Sequence, residues 1–489
     1  MSKIIITRFD DVHIKVHCEP DVAYELSEYF TFNVPNAKFT PKFINKMWDG
    51  KIRLYNMMSK KLYGGLKLYV EIFARERGYE VEFPTPEDFY DTEYSVIEAL
   101  DFAKKTIKMP NIEFRDYQIE AYAHAVRSKR ALFISPTASG KSLMIFLTAM
   151  SLWRPKKKVL IIVPTTSLVH QMATDFGEYF QEDSNKFCHR ILSGAEKTTD
   201  KPFIISTWQS IYKLPKKWFD DFNVVIGDEA HLFKAKSLTD IMSKLTDCPY
   251  RFGFTGTLDG SETHKLVLEG LFGPIKKVTT TAELIQNNTL SQFKIKAIVL
   301  NYSEEQRKMA SKLKYPDEVN YIVNAPARIK FINNLALSLK GNSLILFRHK
   351  AHGKAIHDML KDRMNGRELY YVDGDVDGEI REDIRKEVEG IQDGIIVASL
   401  GTFSTGINIK NLHNVIFASP SKSRVKVLQS IGRGLRKLFS KSMFTLYDIA
   451  DDLTWKSKQN HTILHFVERI KMYNEEKFDY KIYNVELRS

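Results

Sequence analysis

Residues 131–153 read ALFISPTASGKSLMIFLTAMSLW, which joins a short apolar run, a polar loop and a second apolar segment. The run ALFI is typical of a strand, and the periodic apolar segment after Lys141 predicts a helix. A loop between a strand and a helix binds phosphate through its backbone N–H groups and the helix N-terminus. The pattern therefore predicts a phosphate loop in which Lys141 reaches the β and γ oxygens and Ser142 ligates Mg²⁺.

This loop departs from the usual G-x-x-x-x-G-K-[ST] pattern at two positions. Ser135 stands at the first glycine, and Ala138 stands where such loops often carry glycine. These departures leave the backbone geometry of the loop open. The residues expected to line the nucleotide are Ser135, Pro136, Thr137, Ala138, Ser139, Gly140, Lys141 and Ser142.

Strand-like runs recur along the chain after the loop and alternate with helical segments. One set lies at 131–135, 158–164, 203–207, 224–229 and 251–257, and a second set lies at 343–350, 368–374, 394–400 and 414–420. Apolar strands that alternate with helices indicate parallel sheets covered on both faces. The sequence therefore predicts two α/β units, with a helix and an extended strand in the segment after about residue 456.

Two acids follow the apolar run FNVVIG in the first unit. They belong to Asp228-Glu229-Ala230-His231, and Asp228 lies 87 residues after Lys141. Carboxyl ends of strands line the ligand crevice of an open α/β sheet. We expect Asp228 to hold Mg²⁺, Glu229 to position and deprotonate the attacking water, and His231 to couple the site to a neighbour.

An arginine pair in the second predicted unit is expected to supply the positive charge that phosphoryl transfer needs at the γ-phosphate. Arg433 and Arg436 lie three residues apart in QSIGRGLR, which begins at Gln429, so they share one face of a helix. Positive charge at the γ-phosphate stabilises the transition state. We predict an arginine finger here, although a solvated basic helix remains the alternative reading of this octet alone.

Composition places the chain among globular proteins with an anionic partner. The 489 residues include 43% hydrophobic and 27% charged residues, and the formal net charge is +12. Eight bases and one acid lie between Pro35 and Val70, whereas 422–441 holds seven bases and no acid. The three cysteines form no CxxC pair, and no run is apolar enough to span a membrane, so we expect a cytoplasmic protein.

The motifs together resemble those of superfamily 2 DEAH-box-like helicases and translocases, from about Glu113 to Asp452. That resemblance implies adenine contact by Gln118, a fifth motif at 399–406 and a sixth at 429–436. It implies strand tracking by Pro164, Thr165, Thr166, Thr207, Trp208, Gln209, Ser399, Gly401 and Thr402, and a further nucleotide contact at Gly406. It also implies coupling of hydrolysis to strand movement by Thr255, Gly256 and Thr257.

A narrower resemblance, to a family of phage recombination helicases, extends over nearly the whole chain. It rests on FINKMWDGKIRLYN near the N-terminus, VPTTSLVHQMATDF and the FSTGI…KNLH…GRGLRK series. It implies an ATP- and Mg²⁺-dependent DNA helicase that unwinds or branch-migrates forked and four-way DNA in phage recombination, repair and replication restart. Phage recombination or single-strand-binding proteins are possible partners.

The resemblance implies two RecA-like parallel-sheet motor domains and a small α+β N-terminal domain. We expect an N-terminal DNA-binding domain at 1–90, a linker at 91–110, motor domains at 111–280 and 281–455, and a tail at 456–489. Bases and six aromatics alternate in 35–70. We expect the lysines of this segment to contact phosphates and its aromatic side chains to form a small core. The DNA contacts expected here are Lys46, Trp48, Lys51 and Arg53.

Three other functions remain open at this point. An RNA helicase carries the same motor motifs, and a duplex-DNA translocase uses them without separating strands. The departures at Ser135 and Ala138 keep open a nucleic-acid-binding scaffold that does not hydrolyse ATP.

Overall fold

The structure is a computed structural model that describes residues 2–34, 37–136, 138–232, 235–258, 262–287, 289, 292–376, 378–405, 409, 411–420 and 443–487. The chain divides into two compact units, Met1–Ser135 with Ser139–Thr279, and Pro136–Ala138 with Thr280–Ser489. Within the described ranges, no helix is both long enough and apolar enough to cross a membrane.

The first unit begins with a small α/β region. Its four-stranded sheet has the order β5-β2-β1-β6, and a separate pair joins β3 to β4. The strands are β1 (Lys3–Arg8), β2 (His13–His17), β3 (Thr31–Asn33), β4 (Lys51–Arg53), β5 (Lys61–Tyr63) and β6 (Glu80–Glu82). The α-helices are Pro20–Tyr29, Pro41–Ile44 and Lys67–Arg77. Alternate side chains of β1 and β2, such as Ile4 and Val16, face inward and form its core.

A seven-stranded parallel sheet forms the rest of this unit, in the order β13-β7-β12-β11-β8-β10-β9. The strands are β7 (Arg130–Ile134), β8 (Lys158–Val163), β9 (Cys188–Ile191), β10 (Phe203–Thr207), β11 (Phe222–Asp228), β12 (Tyr250–Thr255) and β13 (Ile275–Lys277). The helices are Val96–Thr106, Asp116–Ser128, Lys141–Leu152, Thr166–Phe180, Trp208–Ile211, Lys216–Phe219, Ala235–Met242 and Glu262–Leu271. All seven residues of β11 are buried, as helices on both faces require.

The order of this sheet brings three predicted motifs together. The phosphate loop follows β7, Thr255 ends β12, and Glu229 follows β11, so the motifs lie on three adjacent strands. Parallel strands present their carboxyl ends at one edge, and that edge is where α/β sheets bind ligands.

The small N-terminal region packs on the large sheet of the same unit through a glycine seam. A Cβ added at Gly65 would overlap the backbone carbonyl oxygen of Glu269, and one at Gly270 would lie 2.9 Å from Cβ of Tyr63. The Tyr69 hydroxyl donates to Glu269 Oε2 at 2.8 Å, and Arg130 donates to the carbonyl of Asp11 at 2.7 Å. Because only glycine permits this backbone approach, the seam fixes the two regions closely together.

The second unit holds another seven-stranded parallel sheet, in the order β16-β17-β15-β18-β19-β14-β20. The strands are β14 (Gln292–Asn301), β15 (Ser343–Phe347), β16 (Leu369–Val372), β17 (Ile395–Ser399), β18 (Asn414–Phe417), β19 (Met443–Asp452) and β20 (Tyr480–Glu486). The helices are Thr281–Gln286, Glu304–Ala310, Tyr315–Val323, Pro326–Ser338, Lys350–Lys361, Gly378–Gly390, Leu400–Thr405 and His461–Glu475. The fold is therefore two parallel-sheet α/β units with a small N-terminal α/β region, which confirms the predicted fold class.

The segment set apart as a tail in the sequence is built into the second sheet. It consists of the helix His461–Glu475 and the strand β20, and β20 pairs with β14 along seven residues. Arg469 donates to both carboxylate oxygens of the buried Asp448 at 2.9 Å. A buried charge is stable only when it is paired in this way, so the tail helix completes the core of this unit.

Candidate functional site

The phosphate loop is held in shape by the segment before the sheet. Gln118 is buried, and its Nε2 donates to the carbonyl of Ser139 at 2.8 Å, while Tyr117 donates to the same oxygen at 3.0 Å. Gly140 has φ +85°, and a Cβ there would overlap the Gln118 amide. The glycine is thus required both by its backbone conformation and by the space that Gln118 occupies.

The two departures from the loop pattern have a structural explanation. The Ser135 side chain is fully buried, and its Oγ lies 2.6 Å from Oγ of Ser139, so the two hydroxyls bridge the loop from within. Ala138 adopts φ 66°, the left-handed region that glycine favours. A side chain in that region costs about 1–2 kcal/mol, so alanine keeps the glycine-like turn at a small expense in stability.

Ser142, the predicted Mg²⁺ ligand, is engaged by a residue that the sequence did not indicate. The Tyr179 hydroxyl lies 2.8 Å from Ser142 Oγ, at the end of the helix Thr166–Phe180. Burial raises the pKa of Tyr179 to about 12, so the phenol keeps its proton at neutral pH. No spacing rule relates positions 142 and 179, so only the fold could reveal this partner.

The predicted catalytic residues of the first unit form a connected chain. Lys141 Nζ donates to Glu229 Oε1 at 3.0 Å, and His231 Nδ1 lies 3.5 Å from Glu229 Oε2. His231 Nδ1 also lies 2.6 Å from Thr255 Oγ1, which donates to the carbonyl of Thr257 at 2.7 Å. The structure therefore brings together the phosphate loop, the acidic motif and the predicted coupling motif Thr255-Gly256-Thr257.

Asp228 lies at the buried end of β11, beside these groups. Burial, and then the charge of Glu229, raise the pKa of Asp228. Its Oδ1 accepts the backbone N–H of Glu229 at 2.9 Å, and Glu229 has φ 48°, which turns the second carboxylate toward Lys141. A buried carboxylate with a raised pKa is stabilised in its charged form by a nearby cation, which fits a metal ligand.

The predicted strand-tracking residues of the first unit lie at the carboxyl ends of β8 and β10, which are neighbours in the sheet. Thr165 caps the following helix by accepting the Leu168 N–H at 3.4 Å, and Thr166 is exposed. Thr207 Oγ1 lies 2.9 Å from Ser210 Oγ, and Gln209 is exposed. Trp208 and Pro164 are half-buried beside them, so these two motifs share one sheet edge.

In the second unit, one predicted motif is described in part. Ser399 ends β17 and accepts the Thr402 N–H at 3.1 Å, which caps the helix Leu400–Thr405, and Gly401 is exposed. The sequence-predicted residues Thr137, Gly406, Gln429, Arg433 and Arg436 lie outside the described residues.

The predicted DNA contacts of the N-terminal region lie close together in the chain, Lys46 and Trp48 on the excursion between β3 and β4, and Lys51 and Arg53 in β4. Lys46 is exposed with φ 54°, and Trp48 donates to the carbonyl of Lys51 at 2.8 Å. Arg53 pairs with Asp49 at 2.6 Å. The expectation that the aromatics form a core holds for Tyr55, which is 2% exposed, but not for Phe39, which is 70% exposed.

Comparison with known proteins gives matches along the chain. Residues 4–84 match the family described as DNA helicase UvsW, N-terminal, 111–260 match the res subunit of type III restriction enzymes, and 327–437 match the helicase conserved C-terminal domain. The ATP-dependent DNA helicase uvsW of Enterobacteria phage T4 is 35% identical over 98% of both chains. The DNA 3'-5' translocase XPB2 of Sulfurisphaera tokodaii is 23% identical over 80% of this chain and 89% of that protein.

Comparison with solved structures also gives matches over most of the chain. The crystal structure of T4 UvsW matches with a TM-score of 0.53 and 34% identity, over 99% of this chain and 100% of that one. A fragment of a putative HsdR subunit of a type I restriction enzyme from Vibrio vulnificus matches with a TM-score of 0.57 over 79% of this chain and 71% of that one. At 18% identity, that second match supports the fold alone.

Proposed function

This chain belongs to the UvsW family of superfamily 2 helicases, and we propose that it couples ATP hydrolysis to the unwinding or branch migration of forked and four-way DNA. It is an ATP-dependent DNA helicase, as its phage T4 relative is named. The proposed setting is phage recombination, repair and replication restart. The RNA-helicase alternative is not favoured, because the relative that matches nearly the whole chain is a DNA helicase.

The observation that carries the proposal is the chain of contacts from Lys141 through Glu229 and His231 to Thr255. Lys141 and Glu229 lie 3.0 Å apart, so a γ-phosphate bound by the lysine would lie beside the carboxylate. We propose that Glu229 orients the attacking water and accepts its proton. A decayed nucleotide site would have no reason to keep this arrangement, which argues against a scaffold that does not hydrolyse ATP.

We propose that Asp228 and Ser142 hold Mg²⁺. Both offer the oxygen ligands that Mg²⁺ prefers, and Mg²⁺ is usually held by one or two protein groups together with substrate phosphates. The bound ion would neutralise charge on the β and γ oxygens.

Coupling to strand movement is proposed to run through His231 and Thr255. The 2.6 Å contact between them ties the acidic motif after β11 to the end of β12. A change in the position of Glu229 on hydrolysis would then move the Thr255-Gly256-Thr257 segment. Arg433 and Arg436 are proposed to supply positive charge to the γ-phosphate, and Gln429 is proposed to belong to the same catalytic motif. Gln118 and Gly406 are proposed to contact the nucleotide.

The proposed DNA contacts engage sugar and phosphate more than base edges. They comprise Lys46, Trp48, Lys51, Arg53, Pro164, Thr165, Thr166, Thr207, Trp208, Gln209, Ser399, Gly401 and Thr402. Contacts of this kind carry little sequence information and weaken steeply with salt. Weak sequence preference is therefore expected. Phage recombination or single-strand-binding proteins are proposed as partners.

The test is an ATPase and unwinding panel over forks, four-way junctions, R-loops, plain duplexes and RNA. Lys141→Ala and Glu229→Gln should abolish turnover and leave DNA binding largely intact. Lys186→Ala, which removes an exposed lysine of the same unit, is the matched control and should behave like the parent chain. Normal unwinding by either active-site variant would refute the proposal, and stimulation by RNA alone would favour the RNA-helicase alternative.

A further inference from the structure

Four large apolar side chains lie exposed on the excursion between β3 and β4. Phe39 is 70% exposed, Ile44 is 64% and Met47 is 76%, and Phe43 is 37% exposed beside them. These four side chains are named here the apolar tip. Each residue from 41 to 47 is exposed, so among the described residues no other element of the first unit covers the tip. Contiguous exposed apolar surface usually marks an interaction site.

The tip is a built structure that holds its apolar side chains outward. A short helix, Pro41–Ile44, forms its centre, and Trp48 donates to the carbonyl of Lys51 at its base. Gly50 has φ +77°, and a Cβ there would lie 3.0 Å from the Phe43 ring and 3.1 Å from Cβ of Ala37. The base of the excursion is thus closed by close packing. The rest of the apolar surface of the excursion lies outside this packed base and is exposed to solvent.

Positive charge surrounds the tip. Lys38, Lys42 and Lys46 are exposed and alternate along the chain with the apolar side chains. The nearby acid, Asp49, pairs with Arg53 at 2.6 Å, so it does not offset the lysines. A partner for this surface must combine negative charge with accessible apolar faces.

Single-stranded nucleic acid has that combination, because unpaired bases expose their flat faces next to phosphates. In a duplex the faces are stacked and only phosphates and groove edges are reachable. A lysine-rich surface alone would suit any duplex, whereas the apolar tip fits a nucleic acid with unpaired bases.

We propose that the apolar tip binds unpaired nucleobases at the branch point of DNA, with the three lysines on the flanking phosphates. This rests on the proposed function, because it assigns part of the helicase's branched-DNA recognition to the N-terminal region. The tip would favour a fork over a duplex through contact with bases, independent of sequence.

The experiment measures binding by fluorescence anisotropy, with the full chain and no nucleotide. The probes are a fork, the same fork with abasic positions beside the junction, and a duplex of equal length. The variant is Ile44→Ser combined with Met47→Ser, and the control is Met58→Ser, which removes a 96% exposed methionine of the same region. All substitutions are at exposed positions, so folding is preserved.

The parent chain and the control should bind the abasic fork at least about fivefold more weakly than the intact fork. The double variant should lose a similar factor on the intact fork, show no further loss on the abasic fork and bind the duplex within about twofold of the parent. Equal binding of both forks by the parent chain would overturn the proposal. So would a variant with unchanged fork affinity, which would leave a protein partner as the occupant of the tip.

The two proposals fail separately. ATP hydrolysis driven by plain single-stranded DNA should be retained in the double variant, since Ile44 and Met47 lie outside the nucleotide site. Loss of fork preference with intact hydrolysis supports the tip as a binding surface. Absence of any DNA-stimulated hydrolysis in the parent chain would instead refute the proposed function.

Discussion

The hydroxyl of Tyr179 lies 2.8 Å from Oγ of Ser142 and joins the end of one helix to the start of another. Because burial keeps the phenol protonated, the Tyr179 hydroxyl can accept a hydrogen bond from Ser142 or donate one to it. A serine whose proton is directed at the phenol presents its lone pairs to a cation. The tyrosine is therefore a positioning residue for the proposed Mg²⁺ ligand.

Tyr179→Phe should raise the Mg²⁺ concentration needed for half-maximal ATP hydrolysis by about tenfold, because partners of metal ligands tune affinity on that scale. A Mg²⁺ titration of DNA-stimulated ATPase measures this. Tyr94→Phe is the matched control. It also removes a hydrogen-bonded tyrosine hydroxyl, which lies 2.9 Å from the hydroxyl of Tyr122 and away from the phosphate loop. Identical titration curves for Tyr179→Phe and the parent would exclude the positioning role.

Gly140→Ala should weaken nucleotide binding by about tenfold or more, because its Cβ would overlap the Gln118 amide and its φ of +85° disfavours a side chain. Gln118→Ala removes the obstructing amide. The loss of binding free energy in the double variant should therefore be smaller than the sum of the losses in the two single variants. Binding of a fluorescent ATP analogue gives all four affinities. Strictly additive losses would show that the Gln118 amide does not determine the need for glycine.

Gly65→Ala should lower the free energy of unfolding by about 1–3 kcal/mol, the usual range for overpacking. Its Cβ would overlap the carbonyl oxygen of Glu269, a backbone atom that cannot move without opening the glycine seam. Gly374→Ala is the comparison, since a Cβ there meets nothing within 4 Å. Thermal unfolding should separate the two variants by several degrees. Equal melting temperatures would mean that the seam is loosely packed.

His352 should make the second unit less stable in acid. It is buried, with Nδ1 3.1 Å from Ser419 Oγ, and burial and then the charge of Arg328 lower its pKa to about 3. The folded state keeps it neutral, whereas the unfolded chain protonates it below about pH 6.5. Stability from this group is therefore complete above pH 6.5 and is lost as the pH falls toward 3.

His352→Gln removes this dependence. Between pH 6 and pH 5 the parent should lose about 1.2 kcal/mol more than the variant, slightly less than the value of one full proton per pH unit, because the unfolded histidine is already mostly protonated at pH 6. Urea unfolding at both pH values measures the difference, and the carboxylates titrate alike in both chains. Equal losses of unfolding free energy in the parent and the variant would show that His352 is protonated in the folded state as well.

The sequence predicted the five central strands of the first sheet and β15, β16, β17 and β18 of the second, because these segments are largely apolar runs. It did not predict β19, a ten-residue strand in the interior of the second sheet. It missed β9 and β13, whose sequences CHRI and IKK are short and partly polar. Those strands lie at the two edges of the first sheet, where pairing on one side suffices and the apolar signal is weak. Their position depended on tertiary pairing that no local pattern encodes.

Only part of the candidate site could be predicted, because some of its contacts depend on local sequence pattern and others on tertiary packing. Lys141, Asp228 and Glu229 lie at or just after the carboxyl ends of strands, with a recognisable spacing, so the order of the sheet brings them together. Tyr179 and the Gln118–Ser139 bond depend on how two helices pack, and the sequence carried no sign of that packing. The alternation of bases and aromatics in the N-terminal region likewise could not distinguish the buried Tyr55 from the exposed Phe39.

Strand β20 also protects the molecule against self-association. Without it, β14 would present ten residues of unpaired backbone along one side of the second sheet, a template on which a second molecule could add a strand. β20 covers that backbone with a shorter strand that carries Lys481 and ends at Glu486, and charges on an edge discourage such addition. Removing the last strand would therefore expose a site of aggregation even in a molecule whose nucleotide site remained folded.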